Sequence, residues 1–406
     1  MEKIQEIAII GGGAAGFFAA IQAKSLHPTH QVTIYEKSKK TLSKVKISGG
    51  GRCNVTNATY SIAALVKNYP RGNKALKKVF AQFDVHDTIA WFKKNKVELT
   101  TQNDGCIFPV SQNSQTIIDC FLNLCRQLKI EVITEAPLTL LEKSDTGFDL
   151  TFRDFSASAN KVIVAVGGQP KINGFDFLKS LNLKMVEPLP SLFTFNMPNE
   201  SVRDLMGIVV ENAKTRIQGT KLVEDGPLLI THWGMSGPAI LKLSAWGARL
   251  LAADNYHFKV QVNWLGNINA EVANEQLTAE INKFSQKKIA NQKVVNIPSR
   301  LWDFLLKKIA IDTSKKWAEL GKKDKNKLID VLVNDIYEVK GKTTFKEEFV
   351  TAGGIDLNEI DFNTMQAKKH PGIYFTGEGL DVDGITGGFN FQAAWSTAFV
   401  AGKLLD

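Results

Sequence analysis

Cysteine is scarce: Cys53, Cys106, Cys120 and Cys125 are the only four in a chain of 406 residues, and no two form a CxxC pair. That excludes a disulfide-stapled scaffold and a dithiol exchange motif, so any redox chemistry has to come from a cofactor. Long hydrophobic runs are missing as well, since a membrane span needs ~18 apolar residues. The longest candidate, Ile7 to Ile21, is 15 residues long and contains Gly11, Gly12, Gly13 and Gly16. Glu2 and Glu6 make it a poor signal peptide. The expectation is a cytoplasmic chain with no membrane partner and no bound metal. Arginine is sparse too, eight among fifty basic residues, and lysine suits point contacts to phosphates better than bidentate reading of bases. With 44% hydrophobic and 22% charged residues, the composition is neither disordered nor coiled-coil. The length predicts two or three domains.

What is present is organised from the ends inward. Ile4 to Ile10 reads as a buried strand, followed by Gly-Gly-Gly-Ala-Ala-Gly, a helix from about Ala14 to Ser25 and a strand from Gln31 to Glu36. A strand, glycine turn, helix and strand in that order imply a parallel sheet with a crossover. Residues 74 to 96 and 115 to 128 have helical periodicity. Glu131–Thr134, Leu138–Glu142, Gly147–Phe152 and Lys161–Val166 read as strands, the last closed by Gly167-Gly168. From Ser191 to about Val262 the pattern becomes short alternating strands, including Lys214–Ile217, Lys221–Leu222 and Phe258–Val262. Residues 269 to 337 read as helical with a break near Pro298. Glycine turns return after Thr351, with a strand at Ile373–Phe375 and a last helix from about Phe391 to Leu405. The fold class is therefore α/β. A Rossmann-like nucleotide domain takes residues 1–190 and 350–406, a β-rich insertion 191–268 and about 338–349, and a helical subdomain 269–337.

Charge is uneven. Residues 282–346 hold fifteen lysines and Arg300 against seven acids, which accounts for the whole net charge of +9. This segment is either a solvated helical surface or a face for a polyanion such as RNA.

Gly11-x-Gly13-x-x-Gly16 matches the dinucleotide fingerprint. One glycine permits the tight turn, one lets the backbone approach a pyrophosphate, and one allows close helix–strand packing. The amides of the helix N-terminus, including Ala14 and Ala15, favour phosphate. Glu36 follows Gly16 by 20 residues, at the end of the second strand, where a carboxylate accepts from ribose hydroxyls. Lys46-Ile47-Ser48-Gly49-Gly50-Gly51-Arg52-Cys53-Asn54 is a glycine-rich loop suited to close backbone approach to a ligand. Gly377-Glu378-Gly379-Leu380-Asp381-Val382-Asp383-Gly384 follows a strand, and Thr386-Gly387-Gly388-Phe389-Asn390-Phe391-Gln392 opens the final helix. A helix N-terminus there would stabilise negative charge on a reduced flavin.

These segments, with Thr231-His232-Trp233-Gly234-Met235-Ser236-Gly237-Pro238 between them, resemble the BaiN/RdsA family of FAD-dependent flavoproteins along essentially the whole chain. The resemblance implies a Rossmann-like FAD domain, a β-barrel-like insertion and a small helical subdomain. Its members include an enzyme assigned to bile-acid intermediate reduction and one assigned to dihydrouridine formation in ribosomal RNA. Carried over by position, non-covalent FAD contacts fall on Gly11, Gly13, Ala14, Ala15, Gly16, Glu36, Lys37, Ser48, Gly49, Gly50, Gly51, Arg52, Cys53 and Asn54. Toward the C-terminus they fall on Gly167, Gly377, Glu378, Asp381, Gly387, Gly388, Phe389 and Asn390. No second GxGxxG follows a strand, so NAD(P)H is expected as a transient electron donor that visits the flavin and leaves before substrate arrives.

Reducing a C=C bond conjugated to a carbonyl requires a hydride at one carbon and a proton at the next. Cys53, inside the flavin-facing loop, and His232 are the candidate proton donors, each set against a purely structural role. Trp302 and Trp317 read as core anchors. The expected activity is reduction of a uridine in ribosomal RNA. The alternatives are a small-molecule enoyl or ketosteroid-type reductase and a flavin-containing RNA-binding factor without turnover. The sequence does not fix the oligomeric state.

Overall fold

The structure, a computed structural model, describes residues 4–343 and 350–405. Residues 344–349, which fall in the expected β-rich insertion and of which 344–346 end the basic segment, lie outside the described residues. The chain divides into two compact units, Met1–Ser191 with Phe345–Asp406, and Leu192–Thr344.

In the unit made of both termini, five strands run parallel in the order His370–Phe375, Lys161–Val164, Glu6–Ile10, Gln31–Tyr35, Glu131–Ile133. The central strand pairs Ile7 with Val32 on one side and with Lys161 on the other. Covered on both faces, it reads as an unbroken apolar run rather than an alternation. An antiparallel sheet of Leu138–Ser144, Gly147–Phe152 and Ser156–Ala159 links Glu131–Ile133 to Lys161–Val164. The helices Ala14–Leu26 and Phe389–Ala401 lie side by side. Phe18 and Trp395 between them are fully buried, with ring centroids 5.8 Å apart, and Trp91 stands 4.6 Å from Phe18. Each such side chain contributes roughly 1.5–3 kcal/mol by leaving water.

The periodic stretch 74–96 is two helices, Asn73–Phe80 and Val85–Lys94. The break is a capping box: Asp84 accepts from Asp87 N at 3.3 Å, and Asp87 accepts from Asp84 N at 2.9 Å.

The second unit is a barrel with helices. Its sheet runs Asp335–Lys340, His257–Asn263, Val209–Ile217, Val223–Ile230, Gly234–Ser236, Thr194–Asn196, Lys342–Thr343. The first and last of these are consecutive in the chain, joined at Gly341, whose carbonyl accepts from Asn196 N at 3.1 Å. The sheet therefore curls back on itself at Gly341 in the manner of a barrel.

Three details of the sequence reading change here. The stretch read as short strands contains a 16-residue helix, Pro238–Ala253, started by proline in its first turn. Lys221 and Leu222 precede the strand Val223–Ile230 instead of forming one. Tyr337 sits in the strand Asp335–Lys340, not at the end of a helix. The helices Ala270–Lys283, Ser299–Lys308 and Lys322–Val333 share one hydrophobic core with the barrel. Trp302 and Trp317 lie in that core with their rings 6.2 Å apart.

Candidate functional site

The fingerprint turn gives each glycine a separate task. Gly11 has φ +115, and a Cβ there would stand 2.4 Å from Ala165 O. A Cβ at Gly16 would stand 1.9 Å from Gly11 O, so this glycine permits the helix to meet the strand. A Cβ at Gly13 would meet nothing within 4 Å, and Gly13 begins the helix without a side-chain cap. Uncapped first-turn amides facing open space are what a pyrophosphate requires. Glu36 closes the turn from the next strand: its Oε2 accepts from Gly12 N at 2.7 Å and its Oε1 from Ser38 N at 2.8 Å. Each oxygen keeps a lone pair for a ribose hydroxyl. Lys37 is exposed beside it.

The glycine-rich loop is a helical segment, Ser43–Gly51, broken at Ser48, Gly49 and Gly50. Cβ atoms at Gly50, Gly51 and Gly167 would also meet nothing within 4 Å. Arg52 folds back on the loop: Nε donates to Gly49 O at 3.1 Å, and the guanidinium lies 4.2 Å from the centre of the Phe108 ring. Arg52 thus holds the loop in shape.

Chain segments 330 to 340 positions apart are laced together at this loop. Thr56 Oγ1 donates to Gln392 Oε1 at 2.5 Å, Asn57 Nδ2 to Gly387 O at 3.0 Å, and Trp395 Nε1 to Val55 O at 2.9 Å. Asn54, with its amide oriented to satisfy both ends, accepts from Gly388 N at 3.2 Å and donates to Thr56 O at 2.9 Å. Asn390 clamps the preceding turn, accepting from Gly384 N at 2.8 Å and donating to Gly384 O at 2.9 Å. Gly377 approaches the first helix, where its Cβ would stand 3.0 Å from Ala15 Cβ. Glu378 is held by Lys44 Nζ and Thr351 N, both at 2.8 Å. Phe389 and Asp381 are buried. The residues expected around FAD in this unit therefore converge from both termini.

Cys53 has no exposed surface, and burial pushes its thiol up to about 12. A thiol so far above neutrality is a reluctant proton donor. His232 belongs to the other unit, exposed in the turn between Val223–Ile230 and Gly234–Ser236 and packed on Trp233.

Sequence reasoning missed Arg71. Its guanidinium makes a two-pronged ion pair with Asp383, whose side chain is wholly buried, and Ser191 Oγ donates to the same carboxylate at 2.6 Å. Burial raises the Asp383 carboxyl, while Arg71 and Ser191 oppose the rise. The pair fixes the loop between Gly377 and Gly388. Only the acid-rich composition of that loop hinted that a buried cation must meet it.

Residues 5–404 match the family described as the HI0933-like protein Rossmann domain. The chain belongs to that family. A relative of this HI0933-like chain in Escherichia coli (strain K12), named ribosomal RNA dihydrouridine synthase, is 31% identical over 99% of the chain and 98% of its own length. One in Clostridium scindens, named 3-dehydro-bile acid delta(4,6)-reductase, is 26% identical over 98% of each. The solved 3-ketosteroid delta1-dehydrogenase from Sterolibacterium denitrificans has a TM-score of 0.51 at 10% identity, covering 98% of this chain and 99% of its own, a likeness of fold. The HI0933-like chain is an FAD-dependent oxidoreductase. Its residues fit that cofactor: a cradle open at Gly13, Gly50, Gly51 and Gly167, with the Glu36 carboxylate held beside the turn by Gly12 N. No helix among the described residues is long and apolar enough to cross a membrane, and none of their His, Cys, Asp and Glu side chains cluster in threes suited to a metal.

Proposed function

We propose that the protein reduces a uridine in ribosomal RNA to dihydrouridine, with NAD(P)H as the electron source. The observation that carries this reading is the end-to-end similarity to a protein named ribosomal RNA dihydrouridine synthase. The lysine-rich segment 282–346 supports it, because phosphate contacts dominate RNA affinity.

When bound, FAD supplies the hydride that reaches one carbon of the C=C bond. The chain's own residues do the rest. First-turn amides after Gly13 hold the pyrophosphate, and Glu36 accepts from the ribose. Asn54, Asn57 and Gln392 keep the loop and the final helix in one register. The second carbon needs a proton. Cys53 is buried and raised to about 12, which makes it a reluctant donor, and His232 remains the other candidate from the sequence. An His232→Asn variant that reduces its flavin normally but forms product slowly would support that role.

The decisive experiment is mass spectrometry of nucleosides from ribosomal RNA of a deletion strain. One dihydrouridine should disappear and return on complementation, and an unchanged profile would sink the RNA substrate. The relative named as a bile-acid reductase supports a second reading, reduction of a small enone. Rapid enone-dependent NAD(P)H oxidation that salt does not affect would favour it.

A further inference from the structure

Two stretches of the basic segment meet in an arrangement that the sequence does not show. Residues 285–290 and 313–318 run antiparallel, with Ile289 N donating to Lys315 O at 2.9 Å, Trp317 N to Lys287 O at 3.0 Å and Ala318 N to Ser285 O at 2.9 Å. Lys288 is thereby paired with Lys316, flanked by Lys287 and Lys315, and all four are exposed. Like charges directly opposite each other on paired strands are destabilising. Asp312 interacts electrostatically with Lys315, at an exposed position where solvent screens the attraction. None of the four makes an ion pair among the described residues; Lys316 Nζ donates to the neutral Gln286 at 3.1 Å. Of the adjacent acids, Glu319 accepts from Lys316 N at 3.1 Å, and Asp312 accepts from Ser314 N and Oγ at 3.0 and 2.6 Å. An anion lying across the ladder would relieve the repulsion.

A groove of about 960 Å³ opens from the end of this ladder, where Ser285 and Ala318 line it. Its walls are the helices Ala270–Lys283 and Lys322–Val333, and Ile281 and Ile329 supply apolar surface inside. Asn274, Asn282 and Asn326 line it too, and Lys325 Nζ donates to Thr278 Oγ1 at 3.1 Å. Asparagine amides offer both a donor and an acceptor, the complement of a base edge. A nucleobase has to be splayed out of its stack to enter such a groove, which a single strand permits and a paired, stacked duplex does not.

We propose that the lysine ladder holds the phosphates of a single-stranded stretch of RNA whose bases enter the adjoining groove. This rests on the ribosomal RNA reading above and names the surface and the form of RNA it takes.

The test uses the full-length, FAD-loaded protein, a fluorescent single-stranded RNA and a duplex of equal length. Replacing Lys287, Lys288, Lys315 and Lys316 together with Ala should weaken single-strand binding at least tenfold at physiological salt. The slope of log affinity against log salt should fall by roughly 3, at ~0.7 per phosphate. FAD content and oxidation of NAD(P)H by a small dye should not change. Asn326→Trp, an exposed position, should fill the groove and abolish the preference for single strand over duplex while keeping the salt slope. Wild-type affinity and slope in the quadruple variant would overturn the ladder. Equal binding of duplex and single strand by the wild type would overturn the groove. If the wild type binds as described yet ribosomal RNA from the deletion strain keeps all its dihydrouridine, the binding surface stands and the proposed reaction fails.

Discussion

Asp383→Asn keeps the shape of a side chain and removes the charge that Arg71 faces. In the native protein the two side chains are 0% and 9% exposed, and the carboxylate accepts two bonds from Arg71 and one from Ser191. Ser191 Oγ also accepts from Arg71 Nη2 at 3.3 Å, so all three groups depend on each other. Removing one partner from a buried pair leaves the other charge uncompensated, at a cost of ~3–5 kcal/mol. At ~2–4 °C per kcal/mol for a unit of this size, the midpoint of thermal unfolding should fall by roughly 6–20 °C. Circular dichroism reads the unfolding and flavin fluorescence reads cofactor release. Both should shift together, because the pair fixes the loop between Gly377 and Gly388. The double variant Arg71→Met with Asp383→Leu should recover a good part of the loss, since neither charge is then left alone. A loss below ~1 kcal/mol in Asp383→Asn would refute the argument, as would a double variant no better than the single one.

Glu36→Ala removes the acceptor for Gly12 N and Ser38 N as well as the ribose partner. FAD affinity should fall by roughly 1–3 kcal/mol, measured as fluorescence released on dilution, and stoichiometric retention would remove Glu36 from this role. Burial pushes Cys53 and Cys125 to about 12 and Cys106 and Cys120 to about 11. A thiol reagent at pH 8 should therefore label the native protein slowly and all four cysteines once it is unfolded. Because the fold retains protons that the unfolded chain releases above ~8.5, stability should decline as pH rises from there toward 11 to 12.

Where local chemistry decides, the sequence was legible. The strand Glu6–Ile10 and helix Ala14–Leu26 were announced by the apolar run and the glycines between them, and Gly147–Phe152 by its alternation. Pro238–Ala253 was hidden because Ala239, Ile240, Leu243, Ala245 and Ala248 are all buried, which leaves no clear polar face to mark a helical period. The loop 46–54 was recognisable as a ligand loop from its glycines, but its fold depends on Asn54 and Thr56 reaching the C-terminal helix. Arg71 could not be paired with Asp383 across 312 positions by any local rule. Cys53 could stand as a candidate proton donor in the sequence because burial is a property of packing rather than of sequence.

The lacing of Val55, Thr56 and Asn57 to Gly387, Gln392 and Trp395 also sets an order on the protein's birth. The segment Val55 to Asn57 is made 330 to 340 positions before the residues that complete its loop. The sheet is completed equally late: Glu6–Ile10 gains Gln31–Tyr35 at once, but Lys161–Val164 receives its outer neighbour His370–Phe375 only after the contiguous barrel unit has been made. Phe17 and Phe18 lack the final helix throughout that interval, so the nascent chain shows apolar surface that the finished protein covers. A chain stalled before Phe389 carries the turn for the phosphates with no helix against which to complete the cradle.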